Sequence, residues 1–218
     1  MNIYEDGAFN RDRYQNACYR IVWVLKEALD YGFNSQQECF QDAFEKENLG
    51  PTWELMAFVA YGILNIKKGK YPSWGEVPLN FQETAGSAVS LESVASVNVK
   101  KIPNICHDGT SVNKEIRDAF ANNKELIFKQ LEDLNPQILI LGYPEELKCI
   151  VEDIYRFFEG EEYQKQKSIG SIALTINKSK SRLYLWGYHP GYYKGDKGQG
   201  AYYEDILKAV SDFLQSKE

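Results

Sequence analysis

Leu183-Tyr184-Leu185-Trp186-Gly187-Tyr188 is an apolar run that stops at His189-Pro190-Gly191. A short apolar run closed by turn residues reads as a buried strand. Residues 21–25, 94–99 and 137–141 have the same character. Between these runs the apolar spacing becomes helical, over 10–19, 53–66, 123–134, 145–158 and 202–214. Ser35-Gln36-Gln37-Glu38 has capping-box spacing and opens a further helix to Lys46. Residues 71–75 read as a turn, and 78–90 carry no clear period. Residues 172–176 and 183–188 flank Lys178-Ser179-Lys180-Ser181 as a hairpin, adding an antiparallel edge strand. Strands separated by helices imply an α/β fold, a three-layer α/β/α sandwich on a mostly parallel central four-stranded sheet.

The chain of 218 residues, 44% hydrophobic and 26% charged, fits one domain spanning 1–218. No apolar stretch reaches membrane-spanning length, so no membrane partner is expected. The first residues, Met1-Asn2-Ile3-Tyr4-Glu5-Asp6, lack a basic region followed by an apolar one. A cytoplasmic location is therefore expected. The four cysteines form no Cys-x-x-Cys pair and read as reduced thiols. Cys106-His107-Asp108 holds ligand-type atoms but matches no metal spacing, and reads as a polar turn. No metal or other cofactor is expected. A net charge of −6 argues against strong non-specific attraction to duplex DNA.

In a parallel sheet, ligands collect at the carboxyl ends of the strands. The four runs place Lys26 and Glu27, then Asn98, Lys100 and Lys101, then Gly142 and Tyr143, and finally His189 along that rim. Each has two readings. His189 is a neutral-pH donor or a structural strand end. Asn98 offers a paired donor and acceptor that match the edge of a nucleobase, or it caps loose backbone. Glu27 is a general base or a salt-bridge partner of Lys26. Lys100 and Lys101 hold a phosphate or are a solvated pair. Gly195, Gly198 and Gly200 read as loop glycines after His189, at the wrong spacing for a dinucleotide fingerprint.

Three segments together resemble the bacterial uracil-DNA glycosylases. Asn98-Val99-Lys100-Lys101-Ile102-Pro103 is similar to their Asn-Val-Val-Lys-Cys-Arg-Pro segment. Asn135-Pro136-Gln137-Ile138-Leu139-Ile140-Leu141-Gly142 is similar to their Pro-x-x-Ile-x-x-Leu-Gly strand, and Tyr188-His189-Pro190-Gly191 to their His-Pro-Ser motif. The order of the segments is the family's. Val24-Leu25-Lys26-Glu27-Ala28-Leu29 is a degraded counterpart of the family's first motif, Gly191 stands where the family has serine, and the family's wedge leucine has no obvious counterpart, a gap that Tyr192 or Tyr193 would fill.

The resemblance implies a DNA-repair hydrolase that binds a flipped base and cleaves its N-glycosidic bond. Asn98 and Tyr31 would contact the base. His189 would stabilise the charge that develops on the leaving base, and Glu27 would position water. Lys26, Lys100, Lys101, Gly191 and Tyr192 would contact phosphate or DNA. The partner would be DNA or a nucleotide. Two alternatives stand beside this: a non-catalytic nucleotide- or nucleic-acid-binding module on the same fold, and a hydrolase of free nucleosides or nucleotides.

Overall fold

The computed structural model describes residues 4–30, 32–78, 81–105, 111–192 and 198–217. In chain order the first elements are β1 (Gly7–Ala8), α1 (Arg11–Gln15), β2 (Ile21–Asp30), α2 (Gln36–Glu45), α3 (Gly50–Leu64) and α4 (Phe81–Ser90). Then come β3 (Val94–Ile105), α5 (Asn113–Leu134), β4 (Ile138–Gly142) and α6 (Lys148–Glu159). β5 (Lys167–Ile169), β6 (Ile172–Ile176), β7 (Leu183–Gly187) and α7 (Gly198–Gln215) follow.

Among the described residues the sheet is mixed and has seven strands, in the order β1-β3-β2-β4-β7-β6-β5. β3, β2, β4 and β7 pair in parallel and correspond to the four apolar runs. β1 is antiparallel to β3, and β6 and β5 add an antiparallel pair beyond β7. The expected four-stranded sheet with one added strand is thus corrected to seven. β1 and β5, of two and three residues, are too short for alternation to reveal.

Successive strand residues face opposite sides, and each side has its own core. Ile21, Trp23, Leu25, Ile138, Ile140, Leu183 and Leu185 pack with apolar residues of α3 and α7. Val22, Val24, Val97, Val99, Leu139, Leu141 and Tyr184 pack with those of α5 and α6.

Local chemistry sets the helix ends. The Ser35 hydroxyl accepts the Glu38 N–H at 3.2 Å and starts α2, as the capping-box spacing implies. The Glu38 carboxylate bonds the N–H of Asn34 rather than that of Ser35. α5 ends at Asn135, whose φ of 44° is left-handed, just before Pro136. It begins ten residues earlier than its periodicity suggests. Only Ile116 and Phe120 are buried in that first part, and they are diluted among charged residues.

One expectation is corrected here. Gly198 and Gly200 lie in the first turn of α7, not in a loop, and Gly195 lies outside the described residues. A Cβ at Gly200 would stand 2.8 Å from Trp74 Cδ1, so close packing on the indole accounts for this glycine. Among the described residues no helix is long and apolar enough to cross a membrane.

Candidate functional site at the carboxyl rim of the parallel strands

Because β3, β2, β4 and β7 run in parallel, their carboxyl ends share one rim. The register aligns Asn98 with Leu25, Leu141 with Val24 one step earlier, and Gly142 with Gly187. β2 and β3 do not stop at this line. They run on to Asp30 and Ile105 as a two-stranded ribbon, with Glu27 opposite Lys100. Lys26, Glu27, Lys100 and Lys101 therefore lie within strands that continue, rather than at the strand ends expected. Their charges end the apolar pattern while the ladder continues.

Beyond β7 the chain folds back over β4. A Cβ at Gly142 would stand 3.3 Å from both the His189 Cα and the Leu25 Cδ2, so a bare glycine lets the backbone cross here. Pro190–Tyr192 forms a 3₁₀ turn, in which the Tyr192 N–H bonds the His189 carbonyl at 2.9 Å.

The Gly191 N–H donates to His189 Nδ1 at 3.0 Å. That bond uses the Nδ1 lone pair, so the neutral ring carries its proton on Nε2. Burial and the nearby Lys26 ammonium push the His189 pKa down to about 4. At neutral pH the ring is an uncharged donor through Nε2.

Gly191 is as constrained as Gly142. A Cβ there would lie 2.5 Å from Thr52 Oγ1 of α3 and 3.3 Å from His189 Nδ1. We expect Gly191→Ala to lose about 1–3 kcal/mol by overpacking, and Thr52→Ala in the same chain to restore most of it. Urea denaturation of the two single variants and the double variant checks this. A loss unchanged by Thr52→Ala would mean that the contact is not its cause.

Asn98 is 5% exposed and lies between Val97 and Val99, which face α5, so its side chain projects to the α3 side. Its backbone N–H donates to Asp6 Oδ2 at 2.6 Å, while its side-chain amide makes no hydrogen bond among the described residues. His189 crosses Gly142 on the same side of the sheet. Asn98 and the crossing point are two strand spacings apart, about 10 Å, across a floor of Leu25 and Gly142. Tyr143 is buried beside this floor and donates its hydroxyl to the Leu25 carbonyl at 3.2 Å. Burial raises its phenol pKa well above the ordinary range.

Glu27 is held otherwise. Its side chain is 5% exposed. Oε1 accepts the Ser111 N–H at 2.7 Å, and Oε2 accepts the Ser111 hydroxyl at 2.5 Å. Lys100 Nζ reaches the Ser111 hydroxyl at 2.6 Å and Glu27 Oε2 at 3.5 Å. Glu27 and Lys100 thus anchor the segment that leads into α5. Lys26 Nζ lies 3.4 Å from Asn113 Oδ1, at the start of α5.

Lys101 separates from this group. It is 4% exposed, and its ammonium bonds Asp6 Oδ1 at 2.8 Å and Gln130 Oε1 at 2.7 Å on the opposite face of the sheet. As placed, it does not reach the rim that a phosphate would occupy. Tyr192 is 69% exposed next to His189. Tyr31, Cys106, His107 and Tyr193 lie outside the described residues.

The structure therefore joins Asn98, His189 and Gly191 around one apolar floor, with Glu27 and Lys100 beside it, while Lys26 reaches from β2 to the start of α5. It also brings in residues that carried no sequence signal. Asp6 backs Asn98, Ser111 binds Glu27 and Thr52 meets Gly191, from parts of the chain without a motif. Two cavities lie elsewhere. One of about 700 Å³ lies between α1 and α2 and includes Phe9, Phe40 and Asp42, and one of about 220 Å³ lies at the start of α3. Among the described residues no group of three or more His, Cys, Asp or Glu side chains is placed to hold a metal. Comparison of the chain with protein-family models and with curated proteins finds no match.

Proposed function

We propose that this chain is a divergent uracil-DNA glycosylase-like protein whose rim holds a nucleobase, with recognition as its main activity. One observation carries the reading. The Asn98 amide and the His189 Nε2–H, two polar groups without partners among the described residues, stand on one side of the sheet across an apolar floor. Polar groups largely withdrawn from water are normally paired, so two on one side of the sheet that lack a partner among the described residues suit a ligand that supplies both. A base is flat, apolar on its faces and polar at its edges. Asn98 would pair with one edge and His189 would donate to an oxygen on the other.

Glu27 favours recognition over hydrolysis. Both of its oxygens accept hydrogen bonds from Ser111 and its side chain is 5% exposed, so the carboxylate is engaged in anchoring the chain that enters α5 and is largely withdrawn from water. The neutral His189 donor supports the second reading, N-glycosidic hydrolysis, because a donor aimed at a departing base stabilises its charge.

Calorimetric titration with nucleoside 5′-monophosphates, uridine included, tests the proposal. We expect binding that Asn98→Ala and His189→Ala each weaken about 5- to 100-fold, as the loss of one buried hydrogen-bond partner implies. Binding to none of them, or binding indifferent to both changes, overturns the reading. Release of free base from uracil-containing DNA, abolished by His189→Ala, would move the assignment to hydrolysis.

A further inference from the structure

Tyr188 and Tyr192 bracket His189-Pro190-Gly191, and their rings stack on each other with centroids 5.5 Å apart and planes 19° apart. They are 47% and 69% exposed. Water normally discourages such display, since each ring face left outside costs hydrophobic free energy.

The pair is not a loose surface accident. The 3₁₀ bond from the Tyr192 N–H to the His189 carbonyl, the Gly191 N–H bond to His189 Nδ1 and the close fit of Gly191 against Thr52 fix the backbone between the rings. The same short segment thus fixes the imidazole and the aromatic step beside it.

From this geometry we infer that Tyr188 and Tyr192 form a stacking step for the nucleotide adjacent to the one held at His189, so that the ligand is a single-stranded oligonucleotide. The inference rests on the base-binding reading and adds the class of ligand to it. A free nucleotide ends at its own phosphate and leaves the step unused. A strand continues past the base and lays its neighbour on the tyrosines, as exposed aromatics do for any base in single-stranded nucleic acid. A base stacked within a duplex already has both faces covered, so a single strand is the form that gains.

Charge agrees with this. The chain carries a net charge of −6, and among the described residues Lys100 is turned to Ser111 and Glu27 and Lys101 is buried against Asp6, so neither of these two lysines is offered to a phosphate at the rim. Affinity that comes mainly from stacking changes little with salt, unlike that of a protein gripping the backbone.

The test uses single strands of five identical nucleotides, one for each common base and one of uracil, each paired with its own 5′-monophosphate. Affinities for the full chain are measured by calorimetry at two salt concentrations. We expect at least one pentamer to bind more tightly than its monophosphate. Tyr192→Ala should weaken the pentamer about 5- to 100-fold and leave the monophosphate unchanged, while Tyr192→Trp keeps the gain. At this exposed position, thermal unfolding is expected to be the same for all three proteins.

Pentamers that bind no better than monophosphates, or a Tyr192→Ala effect equal on both, overturn the stacking step and leave the base site standing. Failure of pentamer and monophosphate alike overturns both readings. A gain that vanishes at high salt and ignores Tyr192→Ala assigns it to phosphate contacts and also overturns the proposal.

Discussion

Lys101→Met is expected to lose about 3–5 kcal/mol of stability, a large share of what a domain of this size has. The Lys101 and Asp6 side chains are 4% and 2% exposed and 2.8 Å apart. Gln130 closes the group, accepting from the ammonium at 2.7 Å and donating to Asp6 Oδ1 at 2.7 Å. Removing the ammonium leaves the carboxylate buried without its cation, and that uncompensated charge costs more than the pair contributes.

Asp6→Asn added to Lys101→Met is expected to recover much of the loss. A neutral amide needs no cation, and its oxygen still accepts the Asn98 N–H. Urea denaturation of the single and double variants decides the matter. Equal losses in both would show that the charge is not what matters.

Stability also depends on acid through His189. In the folded chain the ring stays neutral down to about pH 4, whereas an unfolded ring takes up its proton near pH 6.5. Between these values the unfolded state binds more protons, so stability rises with pH across the window. In the other direction, this contribution is intact above pH 6.5, falls as pH drops, and is gone below about pH 4. The shift corresponds to about 3 kcal/mol. His189→Gln removes the titration, so its stability is expected to fall less than the parent's from pH 7 to pH 4, by about that amount. Denaturant titrations at several pH values measure the difference, and parallel profiles would overturn the assignment.

The parallel centre of the fold is legible in the sequence because all four strands are buried on both faces and read as apolar runs. Helix α2 is legible through its cap. β1 and β5 are not, because ladders of two or three residues leave no pattern. The far halves of β2 and β3 hide behind Lys26-Glu27 and Lys100-Lys101, where charge conceals a strand that continues.

In the site, His189 stands out from its position at a strand end, and Asn98 as an amide inside an apolar run. The fate of neighbouring lysines is not readable in this way. Lys100 and Lys101 point to opposite faces of one strand, and their partners, Ser111 and Asp6, come from segments that only the tertiary fold brings near. The same holds for Glu27, whose binding to Ser111 depends on how the chain enters α5.

The burial of Asp6 has a consequence for the order in which the chain assembles. Its partners lie far along the chain: Asn98 is 92 positions away, Lys101 is 95 and Gln130 is 124. Contacts of such separation require long loops to close before they form, and are expected to follow local ones. The Asp6 carboxylate is therefore expected to stay hydrated until β3 and α5 are both in place, with β1 docking as a late seal on the edge of the sheet. An interaction made after the folding barrier acts chiefly on the rate of leaving the native state. The buried pair is thus a brake on unfolding more than a guide to folding.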